Sequence, residues 1–184
     1  MQEATRAHLQ RLAWFTLATT IGGGCDLQTK SWAEETLGGL AGKSMMVIEP
    51  WLEFSLTYNR GTAFSLIPDL GATRLIFGIL ALLTIGLLVF VLHHWRSGRG
   101  EALALGALAG GALGNGLDRA FREAPGGGTG VVDFIKLNYP WGGSWPIFNI
   151  ADVLVAVGLG YFILRTILER GKANADGEPE AAAT

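Results

Sequence analysis

Charge is scarce in this chain. Only 16% of its 184 residues are Asp, Glu, Lys or Arg while 49% are hydrophobic, a balance that argues against an ordinary soluble domain and for a membrane protein. Basic excess is lacking as well: the net charge of -2 leaves no positive surface to neutralise a phosphate backbone and excludes nucleic acid as a partner. With one cysteine, Cys25, no internal disulfide can form, and without a histidine near it in sequence this residue reads as an ordinary thiol. His8, His93 and His94 stand apart from any cysteine or acidic cluster at ligand spacing, so neither a metal site nor a cofactor is indicated.

What the chain has in plenty is apolar helix. A hydrocarbon core of ~30 Å needs ~20 mostly apolar residues as helix, because every backbone polar group must be paired within the segment. Residues 9–27, 70–92, 102–117 and 147–164 qualify, and "LIFGILALLTIGLLVFVL" in the second is the plainest. The third, "ALALGALAGGALGNGL", is rich in the small residues that let helix backbones approach closely, which predicts a central place in the bundle. The N-terminal run has the outline of a secretory signal, but it leads directly into Asp26 and Lys30 and is read as a retained first helix.

The expected fold is therefore a mostly α membrane protein, a four-transmembrane-helix bundle formed as a single domain by residues 1–170, with outer loops at 28–69 and 118–146. Residues 171–184, small, polar and acidic, are expected to form a disordered cytoplasmic tail. Lys and Arg fall in equal number on the two sides of such a bundle. Their density in the short "HHWRSGRG" connection and beside the termini favours N and C termini in the cytoplasm.

Alternation of four helices brings the end of the first and third and the start of the second and fourth to one outer face. Asp26, Lys30, Asn59, Asn115, Asp118, Arg119, Asp133, Asn149 and Asp152 all gather there, as the convergent polar groups of a site do. In the first outer loop, Leu52, Phe54, Leu56 and Tyr58 alternate with polar residues, the period of a strand. Asn59, Arg60 and Gly61 supply a turn and "TAFSLI" a return strand, so a small extracytoplasmic β-hairpin or sheet is expected. Upstream, "SWAEETLGGLAGKS" reads as an interfacial helix ended by Gly38 and Gly39, and Trp51, Trp141 and Trp145 suit the membrane interface.

An aspartate within an apolar helix normally faces a cavity or partner and marks function. Asp152, about one turn into the fourth helix if that helix starts near Phe148, reads equally well as a charge stabilising the helix N-terminus. Asp133, in the second outer loop, changes the balance. Two carboxylates in a semi-apolar site cannot both ionise easily, so one keeps a proton at neutral pH and the pair supplies a base and an acid. Together they can activate water against a peptide carbonyl and protonate the departing amine, which is aspartic peptidase chemistry.

The ordered fragments "DLQTK", "YNRGTAFS", "GNGLDR", "GVVDF" and "FNIAD" around four apolar helices resemble the bacterial lipoprotein signal peptidases, or signal peptidase II, over about residues 9–170. The resemblance implies an intramembrane aspartic endopeptidase of the bacterial inner membrane, with its site at the periplasmic face. Such an enzyme removes the signal peptide of diacylglyceryl-modified prolipoproteins, cutting before the lipidated cysteine, and is inhibited by globomycin-type compounds. The catalytic pair maps to Asp133 and Asp152. Asp26 and Lys30 near the entrance, Asn59 and Gly61 in the hairpin, and Asn115, Asp118, Arg119 and Asn149 around the pair carry over as substrate-binding or supporting residues. Arg119 can pair Asp118, as a structural clamp or as a substrate contact, and Gly61 makes a turn or a close backbone approach. Thr62 stands where a small apolar residue is usual, and "REAPGGGTG" lengthens the run before Asp133. The remaining partners are membrane lipid and, with a self-contained site, no second copy: a monomer is expected. The competing readings are a small proton-coupled transporter and a non-catalytic lipoprotein-binding membrane protein.

Overall fold

The computed structural model describes residues 2–60, 72–94 and 98–176. Gly61, Thr62 and the expected return strand "TAFSLI" lie outside the described residues. Four helices, α1 (Gln2–Leu37), α2 (Ala72–His94), α3 (Arg99–Phe121) and α4 (Ile150–Asp176), carry at one end an antiparallel sheet of β1 (Ser44–Ile48), β2 (Leu52–Asn59) and β3 (Val131–Leu137) in the order β1-β2-β3.

The expected first helix and interfacial helix are one element. Asp26, Lys30 and Glu34 recur at helical spacing along α1 and turn inward to ion-pair, so they give the helix no reason to stop where apolarity ends. It stops at Gly38 and Gly39, where the Gly38 N–H meets the Glu34 carbonyl at 3.1 Å. The tail boundary is corrected likewise: α4 continues through Asp176, with Arg165 and Glu169 paired at 2.6 Å across one turn, so residues 171–176 are helical.

Helix α3 packs against each of the other three. Its small residues make this possible: a Cβ on Gly106 would come within 2.6 Å of the Phe15 carbonyl oxygen of α1, and one on Gly111 within 2.6 Å of the Ala151 carbonyl oxygen of α4. A core of Phe15, Leu92, Ala102, Leu105 and Ala109 closes the end of the bundle far from the sheet. The outward faces of α2 and α4 are apolar and bare, with Leu82, Leu83, Leu87 and Phe90 on one and Val157, Ile163 and Ile167 on the other exposed by more than half. Water would not tolerate so extended an apolar surface. Among the described residues, Ile150–Lys172 is long and apolar enough by itself to cross a membrane, and Ala81–His93 is a shorter apolar helix.

The sheet closes over the extension of α1. Ala33, Leu37, Val132 and Phe134 form a buried cluster against Phe54, Leu56 and Tyr58, so the period-two pattern of β2 does mark its inward face. Trp32, Phe54 and Phe134 meet edge to face with centroids 5.4–6.2 Å apart. Asp133, expected in a loop, lies instead in a strand. Short apolar "VVDF" carries a strand's composition, and its neighbours Val132 and Phe134 point into the cluster, which turns Asp133 to the opposite side.

Candidate active site

Two hairpin-like loops hold β3 at either end. Before it, the glycine-rich run folds back on itself: Glu123 bridges Thr129, the Gly130 N–H reaches the Arg122 carbonyl at 3.2 Å, and Gly126, Gly127 and Gly128 take the positive φ values of 87°, 94° and 72° that the turn demands. Thr129 Oγ1 donates to the Arg119 carbonyl at 2.7 Å and Arg60 Nη2 to the Pro125 carbonyl, which fasten this loop to α3 and β2. After β3, the chain turns through Tyr139 and Gly143 and comes back alongside, with the Phe148 N–H on the Ile135 carbonyl at 3.0 Å and the Ile135 N–H on the Phe148 carbonyl at 2.8 Å. The next residue, Asn149, is thereby delivered beside Asp133.

Asn149 is the cap of α4. Its Oδ1 accepts the Asp152 N–H at 3.1 Å while Asp152 Oδ2 accepts the Asn149 N–H at 3.2 Å, a reciprocal capping box that satisfies two donors a helix start leaves open. Asp152 therefore lies in the first turn of α4, which begins at Ile150, and its carboxylate is fixed by the cap. The Asn149 amide nitrogen lies 2.6 Å from Asp133 Oδ1, 3.1 Å from Asn115 Oδ1 and 3.2 Å from the Val132 carbonyl oxygen. Asn115 Nδ2 in turn donates to Asp152 Oδ1 at 3.0 Å. One asparagine thus touches both aspartates and a second touches Asp152.

Asp133 is 3% exposed. Burial pushes its carboxyl up to about 6, with hydrogen bonds from Asn59 and Asn149 opposing the rise and the charge of Asp152 adding to it. The raised value brings this carboxyl within reach of a proton near neutrality. The charge of Arg119 is coupled to Asp133 and Asp152, and a groove of about 340 Å³ lined by Leu137, Trp145, Phe148, Asp152, Val153 and Ala156 opens beside the second aspartate.

Asp26 and Lys30 are not at an entrance. Both are 0% exposed, with Lys30 Nζ 2.7 Å from Asp26 Oδ2, 3.0 Å from Asp118 Oδ2 and 2.9 Å from Asn115 Oδ1. Asp26 also accepts the Ala151 N–H at 2.8 Å, so it secures the start of α4 from behind. A Cβ on Gly114 would come within 2.2 Å of Asp26 Oδ2, which is why glycine stands there. The ion pairs of Asp118 run to Lys30 and to Arg122 Nε, the latter at 2.6 Å, and the charge of Arg119 acts on it as well. Arg122, Glu34 and Tyr58 are participants that the residue motifs did not reveal. Helical spacing could have found the first two, since Glu34 follows Lys30 and Arg122 follows Asp118 by four positions.

A helical bundle with bare apolar faces, ending in two amide-linked aspartates under a small sheet, defines a membrane protein with the side chains of an acid–base enzyme. Comparison with known proteins agrees. The family model described as "Signal peptidase (SPase) II" matches residues 17–168. A lipoprotein signal peptidase of Syntrophomonas wolfei is 40% identical over 80% of this chain and 87% of its own, and that of Aquifex aeolicus 35% identical over 85% and 88%. Two solved structures described as bacterial membrane enzymes superpose with TM-scores of 0.68 and 0.66 at 28% and 26% identity; the matches cover 83% and 92% of this chain, and 91% and 94% of theirs. The chain belongs to the signal peptidase II family of peptidases.

Proposed function

We propose that this chain is an aspartic endopeptidase of the bacterial cytoplasmic membrane that removes signal peptides from diacylglyceryl-modified prolipoproteins, cutting before the lipidated cysteine, with Asp133 and Asp152 as its catalytic pair. The observation that carries the assignment is Asn149, whose side-chain amide donates to Asp133 Oδ1 while its backbone N–H donates to Asp152 Oδ2. Asp152 takes a proton from water, the resulting hydroxide attacks the scissile carbonyl, and protonated Asp133 hydrogen-bonds the carbonyl oxygen before a proton passes to the departing amine. Residues 1–170 act as one domain. All four helices cross the bilayer with both termini cytoplasmic, which puts the sheet and the aspartates at the outer face. Asn59, Asn115 and Asn149 orient the pair and the extended substrate, and Arg119 faces the reacting centre. Asp26, Lys30 and Asp118 brace it from behind. The substrate enters sideways, its acyl chains remaining in lipid next to the groove beside Asp152, and the enzyme works as a monomer open to globomycin-type inhibition.

The test incubates purified protein in detergent with a diacylated prolipoprotein, alongside the Asp133→Asn and Asp152→Asn variants. Globomycin-sensitive release of the signal peptide by the parent and none by folded variants is expected. Full activity in either variant would sink the pair.

A further inference from the structure

The side chains around the start of β3 form a closed ring. Tyr58 Oη donates to Glu34 Oε1 at 2.7 Å, Glu34 Oε2 pairs with Arg122 Nη1, Arg122 Nε holds Asp118 Oδ1 at 2.6 Å, and Asp118 Oδ2 accepts the Val132 N–H at 3.2 Å. Val132 is the ladder partner of Tyr58, which closes the circuit across β2, α1, α3 and β3.

The ring sits where the sheet is least determinate. Val131, Val132 and Asp133 pair with Asn59, Tyr58 and Thr57, whereas Ile135, Lys136 and Leu137 pair with Phe54, Glu53 and Leu52, one residue out of step. The irregularity lies between Phe54 and Thr57, next to Asp133. Backbone ladder bonds are the same in either register, and a slip of one residue would exchange the faces of the strand, burying Asp133 in the aromatic cluster and sending Val132 toward Asp152. A bulge beside a functional side chain needs something other than the ladder to select its register. The ring supplies it, because it grips β3 by the amide of Val132 and β2 by the side chain of the residue opposite.

We propose that Glu34, Arg122 and Tyr58 are positioning residues that act through Asp118 to set the register of β3, and so aim Asp133 at Asp152. This rests on the catalytic pair proposed above. Arg122 belongs to the glycine-rich run, so the lengthened segment before Asp133 serves as a clamp on the strand and not as slack.

The experiment measures kcat and KM for signal-peptide release, thermal midpoint in detergent, and the titration of Asp133 by carboxyl carbon NMR, for Arg122→Ala, Arg122→Lys, Glu34→Gln and Tyr58→Phe. Small misplacement of a reacting group can cost on the order of a hundredfold, so kcat should fall about ten- to a hundredfold in Arg122→Ala with KM changed by about twofold or less. The Asp133 midpoint should fall from about 6 toward its ordinary 3.8 as water reaches it. Arg122→Lys, which keeps the charge but not the fork, should recover part of kcat. Tyr58→Phe removes one neutral link and should fold even if Arg122→Ala does not. A lowered thermal midpoint in the folded variants with kcat and the Asp133 titration unchanged would make the ring a merely structural brace and overturn the inference. If Asp133→Asn still cleaves, it is the catalytic pair that fails; if Asp133→Asn is dead while Arg122→Ala and Tyr58→Phe keep full kcat, only the ring fails.

Discussion

Two carboxylate clusters lie side by side at the sheet end of the bundle, and they are held in different ways. Asp26 and Asp118 contact Lys30 directly, and Asp118 contacts Arg122 as well. Asp133 and Asp152 take hydrogen bonds from the amides of Asn59, Asn115 and Asn149. A contacting cation ties a buried carboxylate into a fixed ion pair, whereas an amide orients it without supplying a charge. The first arrangement suits a brace, the second a reacting pair. Asn115 touches Lys30 Nζ through its oxygen and Asp152 through its nitrogen, so it couples one cluster to the other.

The most drastic way to break this contrast is at the pair. Asp152→Asn or Asp133→Asn should lower the rate of signal-peptide release by at least about a thousandfold, the upper range for acid–base groups, with unfolding in detergent little changed. The reverse is expected at the brace. Lys30→Met leaves two buried carboxylates without their shared cation and should destabilise by roughly 3–5 kcal/mol, read from the unfolding midpoint. Asn149→Ala lies between the two and should register on both scales. Loss of the cap costs about 1 kcal/mol, and loosening of both aspartates should lower kcat roughly tenfold, separable by measuring unfolding and kinetics on one preparation.

The smallest effect is the pH dependence of stability. Asp133 titrates near 6 in the folded chain against an ordinary 3.8, so between those values the folded state holds the extra proton. Its contribution to stability is full below 3.8 and lost as pH rises through 6. Unfolding followed from pH 4 to 7 should show this decline in the parent and a flatter profile in Asp133→Asn. The same titration predicts that kcat/KM falls on the alkaline side as Asp133 in the free enzyme gives up its proton.

Much of this was readable in the residues, for identifiable reasons. Small residues on α3 announced close packing because nothing else in the helix could explain them, and the alternation in Leu52–Asn59 announced a strand facing inward. Helices α1 and α3 run on past their apolar stretches into polar residues. Lys30 and Asp118 lie inside helices that continue, since their charges are met by each other, by Asp26 and by Arg122 and not by water. Asp133 does not read as a strand residue in the sequence because the four buried positions that open β3, Val131 to Phe134, show no alternation when both faces are covered.

By itself the sequence determined the apolar bundle, the family, and which aspartates, asparagines and cations would meet at one end, because composition and the alternation of helices constrain those regardless of detail. Tertiary structure alone decided which charge answers which. Lys30 could have faced Asp133; the rotation of α1 against α3 and the register of β3 sent Lys30 to Asp26 and Asp118 and gave the catalytic candidates the amides of the asparagines, with the charge of Arg119 acting on both. Such choices depend on a few degrees of helix rotation and one residue of strand register, and these are set by packing between segments far apart in the chain.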